Sequence, residues 1–112
     1  MVKTFVQNGM MAVAVSPGYG AGWSTWNYCR DLAYDKRVIE LILKYQAKDV
    51  TREELAERLE MLGYHDIYCG GLEQICIQWV PLGTCFRIHE YDGSESIETL
   101  ENMKLIYAGE KV

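Results

Sequence analysis

Residues 3–16 read KTFVQNGMMAVAVS, and the fold turns on this stretch. Asn8-Gly9 is a favoured pair for a tight two-residue turn, so the spacing predicts a short strand on each side of it. The second strand is apolar on both faces, since Met11, Val13 and Val15 alternate with Ala12 and Ala14. A strand of that kind must be covered on two sides, which marks the centre of a sheet rather than its edge. Pro17 ends it, because proline brings no N–H to a ladder.

Downstream the period changes. Leu32, Val38, Ile39, Leu41, Ile42 and Tyr45 recur at spacings of three and four, which predicts an amphipathic helix. Ser24 or Thr25 caps its start, or Asp35 opens a second helical piece. In TREELAERLEML, residues 51–62, Thr51 and Glu54 form a capping box, Leu55, Leu59 and Leu62 share a face, and Gly63 stops the helix. Two further strands, EQICIQWVP (73–81) and GTCFRIHEY (83–91), are expected to form a hairpin through Pro81-Leu82-Gly83. YDGSES (91–96) holds another turn, and ESIETL (95–100) and KLIYA (104–108) supply two more short strands. Strands, then helices, then strands predict an α+β fold, a mainly antiparallel sheet with two helices packed on one face. The whole chain, 1–112, makes one domain.

Composition narrows the function. A net charge of −5 argues against duplex nucleic acid, whose binders carry broad basic faces. A small anion is compatible with it, because one or two arginines suffice to hold one. The longest apolar run, MMAVAV, is too short to span a bilayer. No signal peptide is visible, so a cytoplasmic protein that touches no membrane is expected. Cys29, Cys69, Cys76 and Cys85 form no C-x-x-C pair. They are expected to be buried free thiols, and no metal or cofactor is expected.

The residues with chemical promise begin at SPGYGAGWSTWN, residues 16–27. Gly18, Gly20, Ala21 and Gly22 would bring backbone N–H groups close to an anion ahead of a helix. Ser24 and Thr25 would add hydroxyls, while Tyr19, Trp23 and Trp26 would stack on a planar base. The alternative is a tight turn whose rings pack into the core or a subunit interface, and the loop matches no known nucleotide fingerprint. Arg87 and His89 lie on one face of their strand and could hold a phosphate, or Arg87 could pair with a neighbouring carboxylate. Asp92, in the polar turn after it, could accept from ribose hydroxyls. No hydrolytic signature is present, so no catalytic residue is assigned.

Two stretches, VSPGYGAGWSTWN (15–27) and GTCFRIHEYDGSESI (83–97), resemble a group of small bacteriophage proteins. The nearest functional class is the viral sponge, of which the Thoeris anti-defence proteins are the example. That resemblance implies a homo-oligomer that binds and sequesters a cyclic nucleotide immune signal, a cyclic ADP-ribose isomer or a cyclic oligonucleotide, without cleaving it, in the host cytoplasm. It carries over no site residue. Two other readings stand beside it: an inhibitor docking on a host enzyme through Tyr19, Trp23 and Trp26, and a small nucleotide phosphodiesterase using His89 or nearby carboxylates as base.

Overall fold

The computed structural model of the protein describes residues 2–100 and Ala108. Strands β1 (Val6–Gln7) and β2 (Met10–Val15) form a hairpin. Both residues of its turn, Asn8 and Gly9, have positive φ, as the turn requires. Helices α1 (Asp31–Tyr34), α2 (Lys36–Gln46) and α3 (Arg52–Met61) follow. After a 3₁₀ turn at Leu72–Gln74 come strands β3 (Cys76–Pro81), β4 (Phe86–Tyr91) and β5 (Ser94–Thr99). The fold is α+β.

The two apolar faces of β2 explain the architecture. It is the middle strand of an antiparallel sheet β1-β2-β3, and the residues from Ala12 to Val15 are fully buried. Ala12 and Ala14 face a cluster built from Leu32, Ile39, Ile42, Leu55, Leu59 and Leu72, the helical layer. Val13 and Val15 face the other way, onto a smaller cluster that includes Ala33, Val80, Phe86, Ile88 and Ile97. That second cover is the β4–β5 hairpin, a separate two-stranded sheet. Small residues thus lie under the helices and β-branched ones under the hairpin, with one strand serving two cores.

Two expectations are corrected, on strand pairing and on the cysteines. β3 and β4 do not pair with each other. The turn at Pro81-Leu82-Gly83 forms, with the Thr84 N–H donating to the Pro81 carbonyl at 3.1 Å. β3, however, is ladder-bonded to β2, and β4 finds its partner in β5. Of the two readings of the helical stretch, the one in which Asp35 opens a second piece is the one formed: the backbone turns extended at Asp35, whose carboxylate caps α2 by accepting from the Arg37 N–H. Cys76 and Cys85 are exposed rather than buried, being on or beside strands that lack a neighbour on one edge. The expected strand at 104–108 lies outside the described residues, apart from Ala108. The capping box of Thr51 and Glu54 is present, and Gly63, at positive φ, follows the last turn of α3. No helix among the described residues is long and apolar enough to cross a membrane.

Asp35 holds the junction of α1, α2 and the segment after α3. Its buried carboxylate accepts from the Arg37 guanidinium at 2.8 Å and the Tyr64 hydroxyl at 2.6 Å. Burial pushes the Asp35 carboxyl up, but the hydrogen bonds from Arg37 and Tyr64 outweigh it and hold the group below its ordinary value of 3.8. The same pairing, with burial leading, drives the Tyr64 hydroxyl well above the usual tyrosine range. A carboxyl depressed in the folded state contributes stability that is full above its unfolded value and lost as pH falls through the folded one. The wild-type urea midpoint should therefore fall as pH drops from about 5 toward about 2. Asp35→Asn should lower the midpoint at neutral pH and make that fall shallower; an unchanged acid slope would count against this assignment.

Candidate functional site

The loop at 16–27 is folded around an anion, and the anion is the protein's own. Glu95, the second residue of β5, is 2% exposed. Its Oε1 accepts from the Ser16 N–H at 3.0 Å. Its Oε2 accepts from the Trp23 and Thr25 N–H groups, each at 3.0 Å, and from the Thr25 hydroxyl. Four donors converging on one carboxylate are the arrangement in which a buried charge is tolerated. The N–H groups that Glu95 engages come from Ser16, Trp23 and Thr25 rather than from the glycines expected to cradle a phosphate, and the Gly20 and Ala21 N–H groups donate to the Asp92 and Gly18 carbonyls.

Further contacts fasten loop and hairpin together. The Glu95 N–H donates to the Ser16 carbonyl at 2.8 Å, the Ser94 hydroxyl to the Pro17 carbonyl at 2.6 Å, and the Gly20 N–H to the Asp92 carbonyl at 2.7 Å. Gly93 is buried at the seam with φ 85°, and a Cβ there would stand 2.7 Å from the Gly20 nitrogen and from the Trp26 ring. Any larger residue would push the two stretches apart.

The sequence-predicted residues divide accordingly. Trp23 is a core residue, its indole N–H donating to the Leu32 carbonyl at 2.8 Å. Ala21 is buried, Gly18 lies against the Gln74 side chain, and Gly22 lies under the Trp26 indole. Trp26 packs on Tyr68, with ring centroids 5.5 Å apart, and its N–H reaches Glu90 at 3.3 Å. The Tyr68 hydroxyl donates to the Gly20 carbonyl. Tyr19 meets the edge of Tyr91 at the hairpin tip. Asp92 has positive φ in the two-residue turn of β4–β5. Arg87 pairs across the strands with Glu98, its Nε at 3.0 Å, and His89 faces the same carboxylate at 3.7 Å. The neighbouring-carboxylate alternative for Arg87 is therefore the one the geometry presents.

Three of these residues, Ser24, Thr25 and Arg87, do come together elsewhere. They line a groove of about 710 Å³ between the segment from Ser24 to Tyr34 and the start of β4. Tyr28, Cys29, Arg30, Ala33, Tyr34, Phe86 and Ile88 complete the wall. In an acidic chain this lining holds two arginines and no carboxylate. Three acidic groups bond to lining residues: Glu98 to Arg87, Asp31 to the Tyr34 hydroxyl at 3.2 Å, and Glu95 to the Thr25 N–H and hydroxyl. None of the ion pairs among the described residues engages Arg30.

Sequence reasoning did not single out Tyr28, Arg30 or Tyr34, and it set Glu95 in a polar turn rather than in the core. Glu95 was legible in one respect: it sits two positions before Ile97 on β5, hence on the same face, and Ile97 packs inward. Compared with family models, curated proteins and solved structures, the chain finds no match, so its site is read from its own geometry.

Replacing Glu95 tests the clamp. Glu95→Ala leaves three backbone N–H groups without their acceptor, each costing about 1–3 kcal/mol, so a loss of about 3 kcal/mol or more is expected in urea unfolding. Glu95→Gln should cost less but still be destabilising, because its amide must turn N–H groups toward Ser16 or toward Trp23 and Thr25. Both variants unfolding within about 0.5 kcal/mol of wild type would contradict the clamp.

Proposed function

We propose that the protein is a binding protein for a small anionic ligand of the nucleotide class, which it holds intact in the groove between Ser24–Tyr34 and β4. The observation that carries this reading is the groove's lining: Arg30, with Arg87 beside it already paired to Glu98, for phosphate, Ser24 for a polar contact, and Tyr28, Tyr34 and Phe86 for a flat apolar ring. Its volume falls in the range of roughly 300–1,000 Å³ common for small-molecule sites. The lining has no imidazole and no carboxylate, which favours retention over acid–base cleavage of the ligand. Within this proposal the resemblance to phage sponges supplies the ligand, a cyclic nucleotide immune signal, and the setting, the host cytoplasm. The groove is open at its rim, where Tyr28 and Arg30 are exposed. A second copy of the chain closing it would bury such a ligand.

A second reading rests on a different observation. Tyr19, Tyr91, Tyr68 and Trp26 remain partly exposed on the loop–hairpin surface, at 73%, 70%, 42% and 37%. Clustered exposed aromatics are typical anchors of protein–protein interfaces, and this face suits docking on a host enzyme.

The test is capture. The purified protein is incubated with cyclic ADP-ribose isomers and cyclic dinucleotides and freed of unbound ligand. It is then heat-denatured, and the released material is identified by mass spectrometry. Intact ligand is the expected result, and Arg30→Ala and Arg87→Ala should each weaken binding by about tenfold or more. Recovery of a cleaved product would replace this reading with an enzymatic one. An empty protein would favour the docking surface, which Tyr19→Ala and Tyr91→Ala should then disrupt.

A further inference from the structure

Tyr28 is costly to the fold. Its φ is 51°, a left-handed conformation that non-glycine residues seldom adopt and that is an outlier for a bulky one. Its side chain is 95% exposed, so the strain is not repaid by packing. The turn it belongs to needs only its backbone, whose N–H donates to the Thr25 carbonyl at 3.2 Å. Glycine would make that turn without strain. The four other non-glycine residues at positive φ, Asn8, Lys48, Asp66 and Asp92, are small or polar.

The position of Tyr28 gives the strain a use. It stands at the rim of the groove, two residues before Arg30 and opposite Arg87. The aromatic rings that the sequence offers for stacking are committed elsewhere: Trp23 to the core, Trp26 to Tyr68, Tyr19 to Tyr91. Tyr34 lies in the groove wall, with its hydroxyl held by Asp31. Phe86, the third ring of the lining, is partly buried against the second core cluster, as Tyr34 is, so Tyr28 is the exposed one of the three, and strained residues of this kind are kept where a site uses them.

We infer that Tyr28 is the specificity residue of the groove, stacking on the planar base of a nucleotide whose phosphate lies between Arg30 and Arg87. This rests on the binding function proposed above and assigns its base-recognition element.

The experiment uses the full chain and three probes in isothermal titration: a cyclic ADP-ribose isomer, cyclic di-AMP and inorganic pyrophosphate. Tyr28→Gly should weaken whichever base-containing probe the wild type binds by about tenfold or more. It should leave pyrophosphate affinity unchanged, and Tyr28→Phe should keep full affinity. The urea midpoint of Tyr28→Gly should be no lower than that of wild type, because glycine accepts this φ, so lost binding cannot be lost folding. A base-containing probe binding Tyr28→Gly as tightly as wild type, while Arg87→Ala loses it, would overturn the assignment and leave the groove standing. Wild type binding none of the three would overturn the groove reading and this inference together.

Discussion

One carboxylate organises this molecule. The loop at 16–27 brings three backbone N–H groups and a hydroxyl to a point where solvent does not reach, and groups so placed need an acceptor. Glu95 meets all of them at once. Ser16 directly follows β2, and Glu95 lies near the start of β5, so the contact joins the central strand, the loop and the hairpin at one point. With the hairpin fastened there, Phe86 and Ile88 cover Val13 and Val15, and the segment from Ser24 to Tyr34 stands opposite the start of β4. The groove exists because that clamp sets its two walls.

The fold and the candidate site are therefore consequences of the same docking. The two stretches 15–27 and 83–97 are the two that touch along this seam. Their glycines and aromatics serve contact between them: Gly93 admits the loop backbone, Trp26 lies over Gly22 and against Tyr68, and Tyr19 meets Tyr91. Beyond Thr25 the chain leaves the seam, and Tyr28, Arg30 and Tyr34 line the groove.

Features fixed by neighbours in sequence were legible. Asn8-Gly9 and Asp92-Gly93 encode their turns, Thr51 and Glu54 their cap, and the apolar run at 10–15 its place between two layers. Features fixed by distant partners were not. A turn at Pro81-Leu82-Gly83 says nothing of which strand β3 will choose, and β2, paired with β1 along one edge, takes β3 on the other. Glu95 resembled a solvated turn residue, because carboxylates are mostly exposed and only the parity with Ile97 pointed inward. Ser24, Thr25 and Arg87, singled out separately in the sequence, line one groove in the structure, whereas nothing in composition pointed to Tyr28, whose strain is a property of φ.

The most direct test of the clamp is amide hydrogen exchange, read residue by residue on the unliganded protein. If Glu95 holds the loop from within, the Ser16, Trp23 and Thr25 amides exchange as slowly as those of β2 and open together with it. Exchange of those three amides at the rate of an exposed loop, with β2 still protected, would show that the carboxylate does not hold them and that the loop is free to take an external anion.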